Sequence, residues 1–162
     1  MPSSPSKMLA ARTALKALLA AAMTALYPGG MPAGWPEAPR VRDIDESPSD
    51  TPAGGEIVME RGRTVPTPVE FGQGNGAVFE HRMTVPLALY ANHDDPTVQT
   101  QAFDAMLKGV GAAIAADESL GGVVDTCEFT ESENDQLGGE GNPGGEGSLV
   151  SLDLVWHGPP FG

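Results

Sequence analysis

The sequence predicts an α+β fold, a mainly antiparallel sheet with two helices packed on one face and long loops. Three observations predict it. Two segments, Lys7 to Leu26 and a second opening at Asp95-Pro96, carry apolar residues at helical spacing. Other segments alternate apolar and polar residues as half-buried strands do. The resulting order is helix, strands, helix, two strands, in which strands group around a helix instead of alternating strictly with helices. With 21 Gly and 15 Pro among 162 residues, the chain reads as one loop-rich domain over 1–162. Residues 1–6 and 158–162 are expected to be flexible termini.

In the first helix Met8, Ala11, Leu15, Leu18, Leu19, Ala22 and Leu26 fall on one side. Ser4 and Pro5 supply an N-cap and a first helical position, and Pro28-Gly29-Gly30 ends the pattern. Lys7, Arg12 and Lys16 ahead of an apolar run superficially match a secretory signal. The helical periodicity favours an amphipathic helix instead. Its alanine-rich run, broken by Lys16, reads as too short and too weakly apolar to span a bilayer of about 30 Å.

Residues 28–55 hold six prolines among Gly, Asp and Ser and read as irregular, with a short strand at Arg40 to Ile44. Ala53-Gly54-Gly55 reads as a turn, Glu56 to Glu60 as a strand and Arg61-Gly62-Arg63 as a second turn. Val65, Val69 and Phe71 follow, but Pro66 and Pro68 confine that segment to an edge strand or loop. Gly72 to Gly76 turns the chain into the clearest strand, where Phe79, Met83, Val85, Leu87 and Leu89 alternate with Glu80, Arg82, Thr84, Pro86, Ala88 and Tyr90. His81, on its apolar side, reads as a hydrogen-bonded strand histidine before a ligand.

Asp95 and Pro96 start the second helix as N-cap and first residue. Its stripe is Val98, Ala102, Phe103, Met106, Leu107, Val110, Ala113 and Ile114, with Gly109 and Gly111 expected to mark close packing against the sheet. Gly121-Gly122 ends the unit, Val123 to Thr130 reads as a strand, and Val150, Leu152, Leu154 and Trp156 form the last. Between them the segment 128–147 reads as an acidic, Gly-rich hairpin loop.

Charge and chemistry narrow the function. Nine Lys+Arg against 22 Asp+Glu give a net charge of -13, which opposes general binding to phosphate backbones. The one cysteine, Cys127, excludes an intrachain disulfide and a Cys-based zinc cage, and a reducing cytosol fits it most simply. Gly72 to Gly76 lacks the helix start and Gly-Lys-Ser/Thr ending of a phosphate loop. His93, Asp94 and Asp95 suit capping better than metal binding. The repeated Gly-Gly-Glu-Gly at 138–141 and 144–147 has a period of six, not the nine of repeat-type calcium turns. Cys127 has no recognisable histidine partner, and neither a Gly-x-Ser-x-Gly elbow nor a His-Glu-x-x-His helix occurs. The chain therefore reads as no enzyme, with no cofactor.

One resemblance draws these segments together. The first helix Lys7 to Leu26, Arg40-Val41-Arg42 with Asp45-Glu46, and Pro52-Ala53-Gly54-Gly55 leading into Ile57-Val58-Met59 come first. Glu80-His81-Arg82 opening a long strand, Asp94 to Pro96, Leu120-Gly121-Gly122-Val123-Val124 and a closing strand follow. In order and spacing, from about Lys7 to Trp156, this resembles the tail terminator (tail-completion) proteins of siphophages and related gene-transfer particles. The Gly-rich stretch at 138–147 and Pro66, Pro68 and Pro86 depart from that family's pattern.

The resemblance implies a structural virion protein of the tail and neck, present in host cytoplasm during assembly. It would form a homohexameric ring on the head-proximal end of the tail tube, stop tube growth and present a surface to the head's connector or stopper. Genomic DNA would pass the lumen unbound, without any membrane, and an acidic lumen would repel its phosphates. Ring contacts are heterologous, one patch meeting a different patch on the neighbour. Candidate interface residues are Arg61, Arg63 and Arg82, pairing with acidic partners, and the acidic tip Glu131, Glu133 and Asp135. Another neck or connector protein and an exported acidic calcium-binding module are the alternatives.

Overall fold

The computed structural model describes residues 6–46, 54–69, 78–130, 135–136 and 146–159. Helices α1 (Lys7–Leu26) and α2 (Pro96–Ala116) lie on one face of a seven-stranded sheet. Its strands are β1 (Arg40–Asp43), β2 (Gly54–Met59), β3 (Arg63–Val69), β4 (Val78–Asn92), β5 (Thr126–Phe129), β6 (Asp135–Gln136) and β7 (Glu146–Gly158). The order is β1-β2-β4-β7-β5, with β3 also on β4 and β6 also on β7. Only β1 and β2 run parallel, so the fold is the expected α+β with a mainly antiparallel sheet.

Alternation along the strands builds the core. Met83, Val85, Leu87, Leu89 and Ala91 of β4 point to the helices with Leu152, Leu154 and Trp156 of β7 and Ile57 and Met59 of β2. Helix α1 answers with Ala11, Leu15, Leu19 and Met23, and α2 with Ala102, Phe103, Met106, Val110 and Ile114. Burying a leucine such as Leu15 or Leu19 contributes about 1.5–3 kcal/mol. By length and apolarity α1 does suffice to cross a membrane, contrary to expectation. In the fold its apolar stripe packs on α2 and the sheet instead.

Several boundaries move. The N-cap of α1 is Ser6, whose Oγ accepts from Leu9 N at 3.2 Å, not Ser4. Strand β2 begins at Gly54, inside the expected turn, because Gly55 lies against Met106 and Pro39 where a Cβ would come within 2.7 Å of Met106 Sδ. Strand β5 starts at Thr126, not Val123, since Leu120, Gly121 and Gly122 all take positive φ in the turn after α2. The expected loop 128–147 loses Glu128 and Phe129 to β5, Glu146 and Gly147 to β7, and Asp135 and Gln136 to β6. Gly158 closes β7 and Pro159 O accepts from His81 Nε2 at 2.8 Å, so the packed unit extends past the expected end. Gly109 packs on α1, not on the sheet: its Cβ would sit 3.2 Å from Met23 Cε, while Gly111 faces open space. The expected turns at 72–76 lie outside the described residues.

The segment Arg61-Gly62-Arg63 does not reverse the chain. Met59 pairs with Leu87 and Arg63 with Thr84, so three residues, 60–62, oppose two, 85–86. This is a β-bulge, and β2 and β3 follow one another along the same flank of β4. The extra residue shifts the inward positions from Ile57 and Met59 to Thr64, Pro66 and Pro68. Glu60 N donates to Pro86 O at 2.9 Å, so the backbone of Pro86 faces the bulge. A proline with no N–H is tolerated mid-strand there because the ladder is already interrupted.

Candidate assembly surface

Strand edges and one sheet face carry the exposed chemistry. Among the described residues, β1 pairs only with β2, β3 only with β4, and β5 and β6 only with β7, so each borders the sheet. Pro66 and Pro68 do sit on an edge strand, as their missing N–H groups require. The β3 edge is basic and apolar: Arg63 is exposed and Val65 is 45% accessible, with Met8 of α1 (44%) close by through a 3.3 Å contact of Thr64 Oγ1 with Met8 Sδ. The β5 edge is acidic and apolar, with Asp125 and Glu128 exposed and Phe129 at 42%.

The helix-free face between them is crossed by ion pairs within the chain. Arg82 Nη1 donates to Asp153 Oδ2 at 3.0 Å, and its Nη2 lies 3.6 Å from Glu80 Oε1. Thr84 Oγ1 donates to Asp153 Oδ1 at 2.7 Å. The Asp153 hydrogen bond, with the Asp153 and Glu80 charges, outweighs desolvation and raises the pKa of Arg82 further. His157 continues the row, with Nδ1 2.6 Å from Asp125 Oδ2 and Nε2 3.6 Å from Glu80 Oε2. Arg42 pairs with Glu56 at the β1 side.

The candidate interface residues thus separate. Arg82 is engaged inside its own sheet. Arg61 reaches Asp45 at 3.0 Å with both side chains largely exposed, a pair of little energetic weight. Arg63 makes no ion pair among the described residues. Asp135 opens β6, whereas Glu131 and Glu133 lie outside the described residues. The sequence reading missed Asp125, Asp153 and His157, because only the pairing of β4 with β7 sets His157 opposite Glu80 and Asp153 opposite Thr84.

Other groups are occupied structurally. Asp95 caps α2 through Thr97 N at 2.9 Å, as expected, and His93 Nδ1 accepts from Asp95 N at 3.0 Å. His93 also stacks on the buried Trp35 with centroids 5.7 Å apart, beside a cleft of about 240 Å³ lined by Gly34, Pro36, Gly54, Asn92, His93 and Asp94. His81 stacks on Trp156 at 5.4 Å. Cys127 is buried, and desolvation, reinforced by Asp117, Asp153, Glu118 and Glu128, pushes its thiol up to about 12. Among the described residues no three His, Cys, Asp or Glu side chains converge as metal ligands. A scan against protein-family models and a search of curated proteins return no match.

Proposed function

We propose that the chain is a tail terminator: a structural virion protein that forms a homohexameric ring on the head-proximal end of a phage tail tube. There it ends tube polymerisation and offers a surface to the head-tail connector. The observation that supports this most is the asymmetry of the sheet's edges: β3 exposes Arg63, whereas β5 is flanked by Asp125 and carries Glu128. Unlike edges favour head-to-tail contact over a two-fold dimer, and head-to-tail contact closes into rings when the rotation allows. The order of segments that resembles the terminator family supports the tail setting, and the net charge of -13 suits a lumen that DNA traverses.

The exported-module alternative loses support in the fold. A cleaved signal over the first helix would remove Ala11, Leu15, Leu19 and Met23, all fully buried in the core.

Native mass spectrometry and negative-stain imaging of the protein, alone and mixed with assembled tail tubes, test the reading. Six-fold rings, or density capping one tube end with growth arrested, are expected. A protein that neither forms rings nor caps tubes overturns the terminator role, and one that binds the connector without stopping growth belongs elsewhere in the neck. A ring with a neutral or basic lumen would remove the electrostatic part of the argument.

A further inference from the structure

We infer that the cleft beside His93 receives the guanidinium of Arg63 from a neighbouring copy, a head-to-tail contact between two unlike patches. The inference rests on the ring reading and names the contact that would hold neighbouring copies together.

At about 240 Å³ the cleft is smaller than sites for drug-sized ligands, which run about 300–1,000 Å³, and it suits one long side chain. Three segments meet there: the loop at Gly34 and Pro36, the start of β2 at Gly54, and Asn92, His93 and Asp94 where β4 ends. Two of its walls have no side chain. Gly34 and Gly54 take φ of +90° and +122°, a region that L side chains rarely adopt. A Cβ on Gly34 would meet nothing within 4 Å, and one on Gly54 only the Glu37 side chain at 3.8–3.9 Å, so both leave room for an incoming group.

The remaining chemistry favours a planar cation. The side chains of Asn92 and Asp94 are exposed and make no hydrogen bond or ion pair among the described residues. Glu37 Oε1 brings a second carboxylate to the rim, with Arg40 Nε 3.9 Å away, beyond hydrogen-bond distance. His93 makes a fixed aromatic wall. Its Nδ1 accepts from Asp95 N at 3.0 Å, its backbone N donates to Gln99 Oε1 at 3.2 Å, and its ring stacks on the buried Trp35. Guanidinium groups stack on such rings and hold five N–H donors in one plane, enough to serve a carboxylate and an amide oxygen together. An ammonium offers a point charge without that plane.

The supplier is a second copy. The chain has six arginines, and Arg12, Arg40, Arg42, Arg61 and Arg82 each have a carboxylate of their own chain within ion-pair distance. Arg63 alone has none, and it is exposed. It cannot serve its own cleft: Arg63 pairs with Thr84, and β4 runs on from there to Asn92, about 26 Å further at roughly 3.3 Å per residue. Copies that each carry a net charge of -13 need a local match of charge to meet, and this contact joins an unmatched cation to an unmatched carboxylate. Because the two patches differ, each copy gives one arginine and receives one, and the series closes when the rotation allows.

The test mixes two single variants of the full-length protein, V65C and E37C, and treats them with a bifunctional thiol reagent. Val65 stands two residues from Arg63 on the same face of β3, Glu37 borders the cleft, both are exposed, and the native Cys127 is buried. Covalent dimers are expected from the mixture and from neither variant alone. In a second arm, native mass spectrometry reads the concentration for half-assembly. R63E and D94R should each raise it roughly five-fold or more, R63E/D94R should return it toward the parent value, and R63K should fall between parent and R63E. Circular dichroism should show every variant folded. Dimers from V65C alone mean that like patches meet, which overturns the contact. Assembly weakened by D94R but not by R63E gives the cleft another occupant and also overturns it. Rings that form and ignore both substitutions overturn the contact while leaving the ring reading intact. Mixed dimers from a protein that neither forms rings nor caps tubes keep the contact and remove the ring reading.

Discussion

Arg12 of α1 and Asp43 of β1 form an ion pair, Nη2 to Oδ2 at 2.9 Å, that ties the first helix to the border of the sheet. The same guanidinium donates to Glu60 O at 2.9 Å and Met59 O at 3.3 Å, the carbonyls where β2 enters the bulge. One planar fork therefore satisfies a helix, an edge strand and a break in the ladder.

Replacing Arg12 with alanine should destabilise the fold by about 1–3 kcal/mol, because Asp43 and Glu60 O lose charge-assisted bonds in a half-buried site. R12K should recover part of this, since an ammonium cannot reproduce the planar spread of donors. Urea denaturation monitored by circular dichroism measures both. Equal stability of R12A and the parent would show the contact to be dispensable.

The same pair makes stability depend on pH. Burial opposes ionisation of Asp43 most strongly, but hydrogen bonds from Arg12 and Asp45 N and the charges of Arg12 and Lys16 together outweigh it. The carboxyl is held below its ordinary 3.8. A depressed carboxylate stabilises the fold fully above its unfolded value and loses that contribution as pH falls through the folded one. The stability gap between the parent protein and R12A should hold steady above about pH 5 and narrow below the ordinary 3.8 of Asp43. Denaturation midpoints across an acid series check this, and a gap that widens on acidification would contradict it.

Cys127 should resist alkylation in the native protein. Its thiol is buried and pushed up to about 12, so little thiolate exists at neutral pH and reagents have no approach. Iodoacetamide at pH 8 should label it only as the chain unfolds, which intact mass over a urea series will read. Rapid labelling of the folded protein would place the β5 strand elsewhere.

The two glycines of α2 should respond differently to alanine. G111A meets open space and should stabilise by up to about 1 kcal/mol through helix propensity. G109A should gain less, because its Cβ would press on Met23 Cε at 3.2 Å between the helices. Thermal melts of the two variants decide it, and identical gains would mean that α1 and α2 pack more loosely at Gly109 than a 3.2 Å approach to Met23 requires.

Much of this protein was determined by local sequence. The apolar stripes of α1 and α2, the Asp95-Pro96 cap, the alternation of β4 and β7 and the confinement of β3 to an edge by Pro66 and Pro68 are readable because each depends on neighbours a few residues apart. Tertiary structure decided the rest. Arg12 looked like a residue of the polar helix face until β1 and the bulge came to meet it, and Arg61-Gly62-Arg63 looked like a turn because a bulge and a reversal use the same polar, glycine-containing residues. Gly109 could be read as a contact, but its partner Met23 lies a whole helix away in sequence. The placing of His157 opposite Glu80 and of Asp153 opposite Thr84 depends on the register of β4 with β7, and registers are fixed by long-range pairing and core burial, not by any window of the chain.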